Sequence, residues 1–198
     1  MKVPPPVLLP VLRSRAHGEL LAWLYLHPEA EFSTSDLALR VGMSQPTVSR
    51  EADRLVSAGL VEERRVGRNR MLRAAADSIV TRPLTDLLAV TFGPLPVLSE
   101  LLATVPGIDA AYIYGSWAAR YDGEAGPLPR DVDLLVVGDA DPDDVYDAAR
   151  AAETRLAREV NVTFASPERW AAVDDDPFFT QIRKRPMVEL RLEGERGR

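Results

Sequence analysis

Two aspartates, Asp131 and Asp133, open an apolar run that continues through Val137. In a strand, alternate side chains share a face, so the two carboxylates project together, roughly 7 Å apart along the backbone. Such a pair is an oxygen-rich site for Mg2+, which combines a few carboxylates with phosphate oxygens. Upstream, the apolar run Tyr112-Ile113-Tyr114 ends in Gly115-Ser116. Glycine lets the backbone approach a ligand closely, and the amides that open a following helix favour phosphate. The two segments together read as a site for Mg2+ and a nucleoside triphosphate. The alternative is that the aspartates are only turn-and-cap residues at a strand start.

The second group is basic. Residues 61–73 carry five arginines (Arg64, Arg65, Arg68, Arg70 and Arg73) against two glutamates. The whole chain has 198 residues and a net charge of −6, which by itself argues against nucleic acid. Its distribution argues otherwise. Residues 1–80 hold 11 Lys and Arg against 9 Asp and Glu, whereas residues 81–198 hold 13 against 21. An acidic body therefore carries a basic tip near its front.

The elements that position these groups follow from pattern. Residues 1–12 read as a proline-rich arm. A first helix starts at Ser14 and ends near His27-Pro28, where His27 is a helix-end residue. Phe32-Ser33-Thr34-Ser35 offers caps for a helix over 36–41, stopped by Gly42. Ser44 caps the next helix, 45–58, with Pro46 in its first turn and Val48, Ala52, Leu55 and Val56 along one side. Residues 60–66 and 71–74 read as two strands joined by a basic hairpin, Gly67-Arg68-Asn69-Arg70. Two helical stretches, 77–92 and 95–102, form a connector broken at Gly93-Pro94. The acid site then needs a strand at 110–114, a turn of helix at 117–121, a loop at 122–130 and a strand at 132–137. Asp141 caps a helix to about Glu159 with Val145, Ala149, Ala152 and Leu156 as its buried stripe, and a third strand spans 160–164. Phe178-Phe179 and residues 187–190 close the core, and 193–198 is a polar tail.

There is no cysteine, so disulfides and thiolate metal sites are excluded. No window reaches the ~18 consecutive apolar residues of a membrane span. The expectation is a cytoplasmic protein without membrane contact.

The front of the chain, about Arg13 to Ala75, resembles the winged helix-turn-helix of ArsR- and MarR-type bacterial regulators. The residues that carry this are the turn Gly42-Met43-Ser44 between two helices and Ala58-Gly-Leu-Val-Glu62 followed by the basic wing. The resemblance implies double-stranded DNA as partner, with the second helix in the major groove. Ser44, Gln45, Thr47 and Arg50 then meet base edges, where Gln pairs with adenine and Arg with guanine. Arg64, Arg65, Arg68 and Arg70 lie over phosphates or reach a minor groove. It also implies a homodimer formed through the connector helices. A winged helix used only for protein contacts is the other reading.

Gly115-Ser116, a short spacer and Asp131-x-Asp133 in an apolar strand, with Arg130 just before them, resemble the nucleotidyltransferase fold of DNA polymerase β and the minimal nucleotidyltransferases, over about residues 105–173. The resemblance implies that Asp131 and Asp133 are the catalytic carboxylates and hold Mg2+. It places Gly115, Ser116, Arg120 and Arg130 at the nucleotide, with NTP as ligand or substrate. The family's third carboxylate falls at Asn161, which brings neither charge nor a proton acceptor; Glu159 shares its strand parity.

The expected fold class is α+β: a winged helix-turn-helix domain at 1–80, connector helices at 81–104 and a nucleotidyltransferase-like domain at 105–198. Two functions stay open. One is a transcription regulator whose second domain senses Mg–nucleotide with weak or no catalysis. The other is an active nucleotidyltransferase that moves a nucleoside monophosphate to a protein, RNA or small molecule.

Overall fold

The computed structural model describes residues 12, 14–172 and 176–192. The expected arm, apart from Leu12, and the expected tail lie outside these. The chain is α+β and divides into two compact units, Met1–Gly93 and Pro94–Arg198. The boundary falls between the two connector helices, so each belongs to a different unit.

In the first unit, α1 (Arg15–Tyr25) is capped by Ser14. A two-residue strand, β1 (Phe32–Ser33), leads into α2 (Thr34–Val41), where Ser33 and Asp36 form a capping box. Gly42 ends α2, and Ser44 caps α3 (Gln45–Ser57). The hairpin is β2 (Val61–Val66) and β3 (Asn69–Ala74). Val66 pairs with Asn69, so the turn is only Gly67-Arg68. Gly67 has φ +60°, the glycine-first form whose twist matches the strands. The sheet order is β1-β3-β2. α4 (Thr81–Phe92) completes the unit, and Gly18 gives the Phe92 ring room against the α1 backbone. Leu20, Leu24, Leu37, Val48, Ala52 and Leu72 form its core. His27 is buried there, stacked on Trp23, with Nδ1 3.1 Å from the Trp23 carbonyl oxygen.

The second unit starts with α5 (Pro94–Leu102), β4 (Ile108–Tyr114) and α6 (Gly115–Tyr121). It continues through β5 (Asp131–Gly138), α7 (Pro142–Leu156) and β6 (Glu159–Ala165). Two short helices, α8 (Pro167–Ala171) and α9 (Pro177–Arg183), and a short strand, β7 (Val188–Glu189), end it. The sheet order is β6-β5-β4-β7, with β5 and β6 parallel and the other pairs antiparallel. α7 makes the crossover that a parallel pair requires. Its Val145, Ala149, Ala152 and Leu156 are all buried, and α5 packs on it.

Alternation gives the sheet two unlike faces. Ala111, Ile113, Val132, Leu134, Val136 and Val160 are buried on one. The other is apolar only at one end, where Leu135, Val137 and Ala165 meet Phe179 and Ile182 of α9. At its opposite end stand Asp131, Asp133, Asn161 and Thr163. The fold thus covers half of that face and leaves the polar half open.

Thr81–Leu102 is long and apolar enough to cross a membrane by length and composition, with mean hydropathy 1.3. This exceeds the sequence-based expectation. The stretch is interrupted at Gly93 and contributes Leu88, Ala89, Val97, Leu98 and Leu102 to the buried cores of the units.

Candidate functional site

α3 turns Val48 and Ala52 inward, which leaves Ser44, Gln45 and Arg50 exposed and Thr47 half-buried. Ser44 Oγ accepts the Thr47 amide and lies 2.8 Å from Thr47 Oγ1. Gln45 Nε2 donates to Thr34 Oγ1 at 3.4 Å, and Arg50 Nε donates to the Pro46 carbonyl at 3.3 Å. The bonds of Gln45 and Arg50 are long, so their polar heads stay available at the first turns of the helix. On the inner side, buried Glu51 meets His17 Nε2 at 2.9 Å and Arg54 Nη1 at 2.6 Å, which ties α3 to α1.

The wing arginines fall into two groups. Arg64 is bound to Glu31 through Nε at 2.8 and 2.7 Å, and that pairing raises the Arg64 pKa and lowers that of Glu31. Arg73 is held by Glu62 at 2.7 Å. Arg70 gives Nε to Glu63, and Nη1 to Asp53 Oδ1 at 2.7 Å and to the Ser49 carbonyl at 3.3 Å. Its side chain is only 21% exposed. Burial opposes its charge, but Asp53 and Glu63 outweigh burial and raise its pKa. Arg65 and Arg68 are exposed and have no partner among the described residues. Of the arginines expected over phosphate, two therefore carry uncompensated charge.

In the second unit, register sets the acidic site. Asp133 pairs with Tyr114 on one side and with Asn161 on the other, and Asp131 pairs with Glu159. Asn161 Nδ2 donates to Asp131 Oδ2 at 3.0 Å and reaches Asp133 Oδ1 at 3.4 Å. The position expected for a third carboxylate is thus filled by an amide bridging the other two. Among the described residues, no three Asp, Glu or His side chains converge as a metal-holding group, so Glu159 does not complete one. Gly115 has φ +70°, and a Cβ there would run into Asp133 Oδ2. Ser116 is exposed beside it. Arg120 Nη1 is directed to the Glu124 and Gly126 carbonyls of the 122–130 loop, and Arg130 is exposed at that loop's end. Trp117 is buried, between Tyr121 and the guanidinium of Arg158.

The comparisons with known proteins bear on the first unit. The MarR family model matches residues 13–70. This segment is a MarR-family winged helix. The match stops short of the second unit, and no curated protein matches the chain. Among solved structures, the antimony-specific transcriptional repressor AntR is similar at 31% identity, over 42% of this chain and 73% of that one, with TM-score 0.34. The transcriptional repressor BigR from Xylella fastidiosa is similar at 29% identity over 42% and 80%, also at 0.34. The homodimeric winged helix-turn-helix DNA-binding domain Mb0332 from Mycobacterium bovis is similar at 28% over 46% and 88%, at 0.31.

The partners of the MarR-family wing, Glu31, Ser49, Asp53 and Glu63, were missed in the sequence. For Arg70 a signal existed: Arg70, Leu72 and Ala74 alternate, so Arg70 continues the buried face of β3 toward α3. In the second unit Thr163 was missed; its Oγ1 lies 3.0 Å from Tyr114 Oη, bridging over β5 beside Asp133.

The acidic site has a measurable cost. Burial raises the Asp133 pKa; the Asn161 amide opposes this and Asp131 adds to it. A carboxyl raised in the native state contributes stability that is full below its unfolded value, about 3.9, and lost as pH rises through the native value. Asp133→Asn should therefore raise the melting temperature of the second unit at pH 7. The gain should shrink toward zero near pH 4, as followed by thermal unfolding at both pH values.

Proposed function

We propose that this protein is a DNA-binding transcription regulator that reads a two-fold-symmetric site as a homodimer, with a second unit that binds one Mg–nucleoside triphosphate as a sensor. The observation that carries the DNA reading is the exposed first-turn edge of α3 beside two uncompensated wing arginines in a MarR-family winged helix. α3 enters the major groove, where Gln45 pairs with adenine, Arg50 with guanine, and Ser44 and Thr47 with either edge. Arg65 and Arg68 meet phosphates. The dimer reading is supported by α4, which exposes Leu87 and Val90 one turn apart, beyond exposed Ile79 and Val80. A second copy covers them, and a two-fold dimer matches a palindromic operator. The protein acts on DNA in the cytoplasm.

The sensor reading rests on the open polar half of the second sheet, read as a nucleotidyltransferase-like fold. The donor set fits one Mg2+: the carboxylates of Asp131 and Asp133, with the Asn161 amide able to present its oxygen and phosphate oxygens completing the shell. It does not fit two ions, because Asn161 brings no charge. An ion held there would neutralise phosphate; Ser116 would hold phosphate oxygens, Gly115 would admit them to the backbone, and Arg120 and Arg130 would supply positive charge. The competing reading, an active nucleotidyltransferase, is favoured by the same Gly115-Ser116 and aspartate pair. Two-metal transfer needs the charge that Asn161 lacks.

Selection of duplexes from a random pool by the purified protein tests both parts. Enrichment of an inverted repeat is expected. Its affinity should change with Mg–nucleotide for the wild type and stay constant for Asp131→Ala/Asp133→Ala. Absence of any enriched sequence would discard the DNA reading. Label transferred from a triphosphate to an acceptor would replace the sensor with an enzyme.

A further inference from the structure

Arg70 lies within the basic tip, yet its environment differs from that of a phosphate contact. Every nitrogen of its guanidinium is engaged: Nε and Nη2 with Glu63 of β2, and Nη1 with Asp53 Oδ1 and the Ser49 carbonyl of α3, with Ser49 Oγ at 3.4 Å. Glu63 belongs to the hairpin and Ser49 and Asp53 to the recognition helix, so one planar group joins the two elements that must meet DNA together. The register explains why this residue does it. On β3, Ala74 and Leu72 face inward and are buried, and Arg70 is the next residue on that face, where the wing leaves the core. An apolar side chain there would reach past the hydrophobic core into water. Arginine instead spans from the strand to the helix with a fork that satisfies two carboxylates. The two acids also cancel its charge, leaving little for a phosphate.

We propose that Arg70 is a positioning residue for DNA recognition, a strut that fixes the wing hairpin against the recognition helix, and not a phosphate contact. This rests on the DNA-binding reading above. The strut sets the spacing between the base-reading edge of α3 and the phosphate-reading pair Arg65 and Arg68. Its loss costs affinity for the selected sequence more than affinity for DNA in general.

The test uses the full chain and a duplex enriched by selection, with affinity measured by fluorescence anisotropy across a range of salt. Arg70→Met should weaken binding to the enriched duplex about tenfold or more, the scale of a lost charge-assisted hydrogen bond. The slope of log affinity against log salt and the affinity for a scrambled duplex should both stay as in the wild type. Arg70→Lys should restore part of the loss. Asp53→Asn, which loosens the strut without touching Arg70, should also weaken the enriched duplex. A phosphate contact gives the opposite pattern. In that case Arg70→Met flattens the salt slope by about 0.9 per protomer, and Asp53→Asn, by freeing a cation, tightens binding and steepens the slope. That pattern would overturn the proposal, and if Arg70→Met does not fold, the sign of the Asp53→Asn effect decides alone. A wild type that enriches no duplex at all overturns the DNA reading itself, a result distinct from either.

Discussion

Gly115→Ala should abolish Mg–nucleotide binding by the second unit while leaving DNA affinity unchanged. Two independent costs meet at this position. Its φ of +70° lies in the left-handed region, which an L side chain enters only with strain. The added methyl would also overlap Asp133 Oδ2, the carboxylate oxygen facing it across the β4–β5 pairing. The backbone cannot yield, so the Asp133 carboxylate must turn away. The junction of β4 and α6 is fixed by the strand on one side and by buried Trp117 and Ala118 on the other. Asn161 reaches Asp133 only at 3.4 Å, so the turned carboxylate leaves the amide that it shares with Asp131 and the paired oxygens of the site are lost. The backbone strain amounts to about 1–3 kcal/mol of stability in this unit, and the displaced carboxylate removes the ligand site. Gly123 is the control, because its φ is also positive, +94°, but no atom lies within 4 Å of a Cβ there. Gly123→Ala should cost only the backbone term and retain binding. Calorimetric titration with Mg–ATP beside thermal unfolding separates the two. Nucleotide binding that survives in Gly115→Ala would mean that the acidic end of the sheet is not where the nucleotide sits.

What the sequence could show here depended on whether a signal was local. Caps and stops were legible because each is settled within a few residues. Ser33 and Ser44 stand where their hydroxyls meet amides three residues on, and Gly42 ends α2. The alternation that sets Asp131 and Asp133 on one face was legible too, whereas Asn161 was singled out only through the resemblance to the nucleotidyltransferase fold, and its place opposite Asp133 comes from the strand register. The side-chain partners of the arginines were not. Arg64 finds Glu31 from before α2, and Arg70 finds Asp53 from α3, 17 residues away. Such pairings depend on how elements pack, which charge counts along the chain do not reveal. The short strand β1 escaped for the same reason: its two residues pair with Leu72 and Met71, far along the chain. The helix α8 was not read at all and α9 only through its core-closing Phe178-Phe179, although Ser166-Pro167 and Asp176-Pro177 are each a cap followed by a first-turn proline.

Replacing Arg65 and Arg68 together by alanine should flatten the salt dependence of DNA binding by about 1.8 per protomer, at about 0.9 for each lost phosphate contact. The size follows from which cations the fold leaves uncompensated. Arg65 stands directly opposite Arg70 in the hairpin, so it shares the face that Arg70 presents to α3. It stays exposed because Asp53 and Glu63 are already taken by its neighbour. Arg68 occupies the turn itself, where no acidic residue follows it. Arg64 and Arg73 lie on the opposite face of the hairpin, each against its own glutamate. Bringing such a pair to DNA adds no net charge, and few counterions are released. Removing a whole pair, Arg64→Ala with Glu31→Ala, should therefore leave the slope as in the wild type. A count of arginines predicts that the Arg64 variant also flattens the slope, by about 0.9, because it gives all the wing cations equal weight. Anisotropy titrations at several salt concentrations distinguish the two. If the Arg64/Glu31 variant flattened the slope by as much per arginine as Arg65/Arg68, the ion pairs would have to open on binding, and the electrostatic interface would be the whole basic tip rather than its two uncompensated residues.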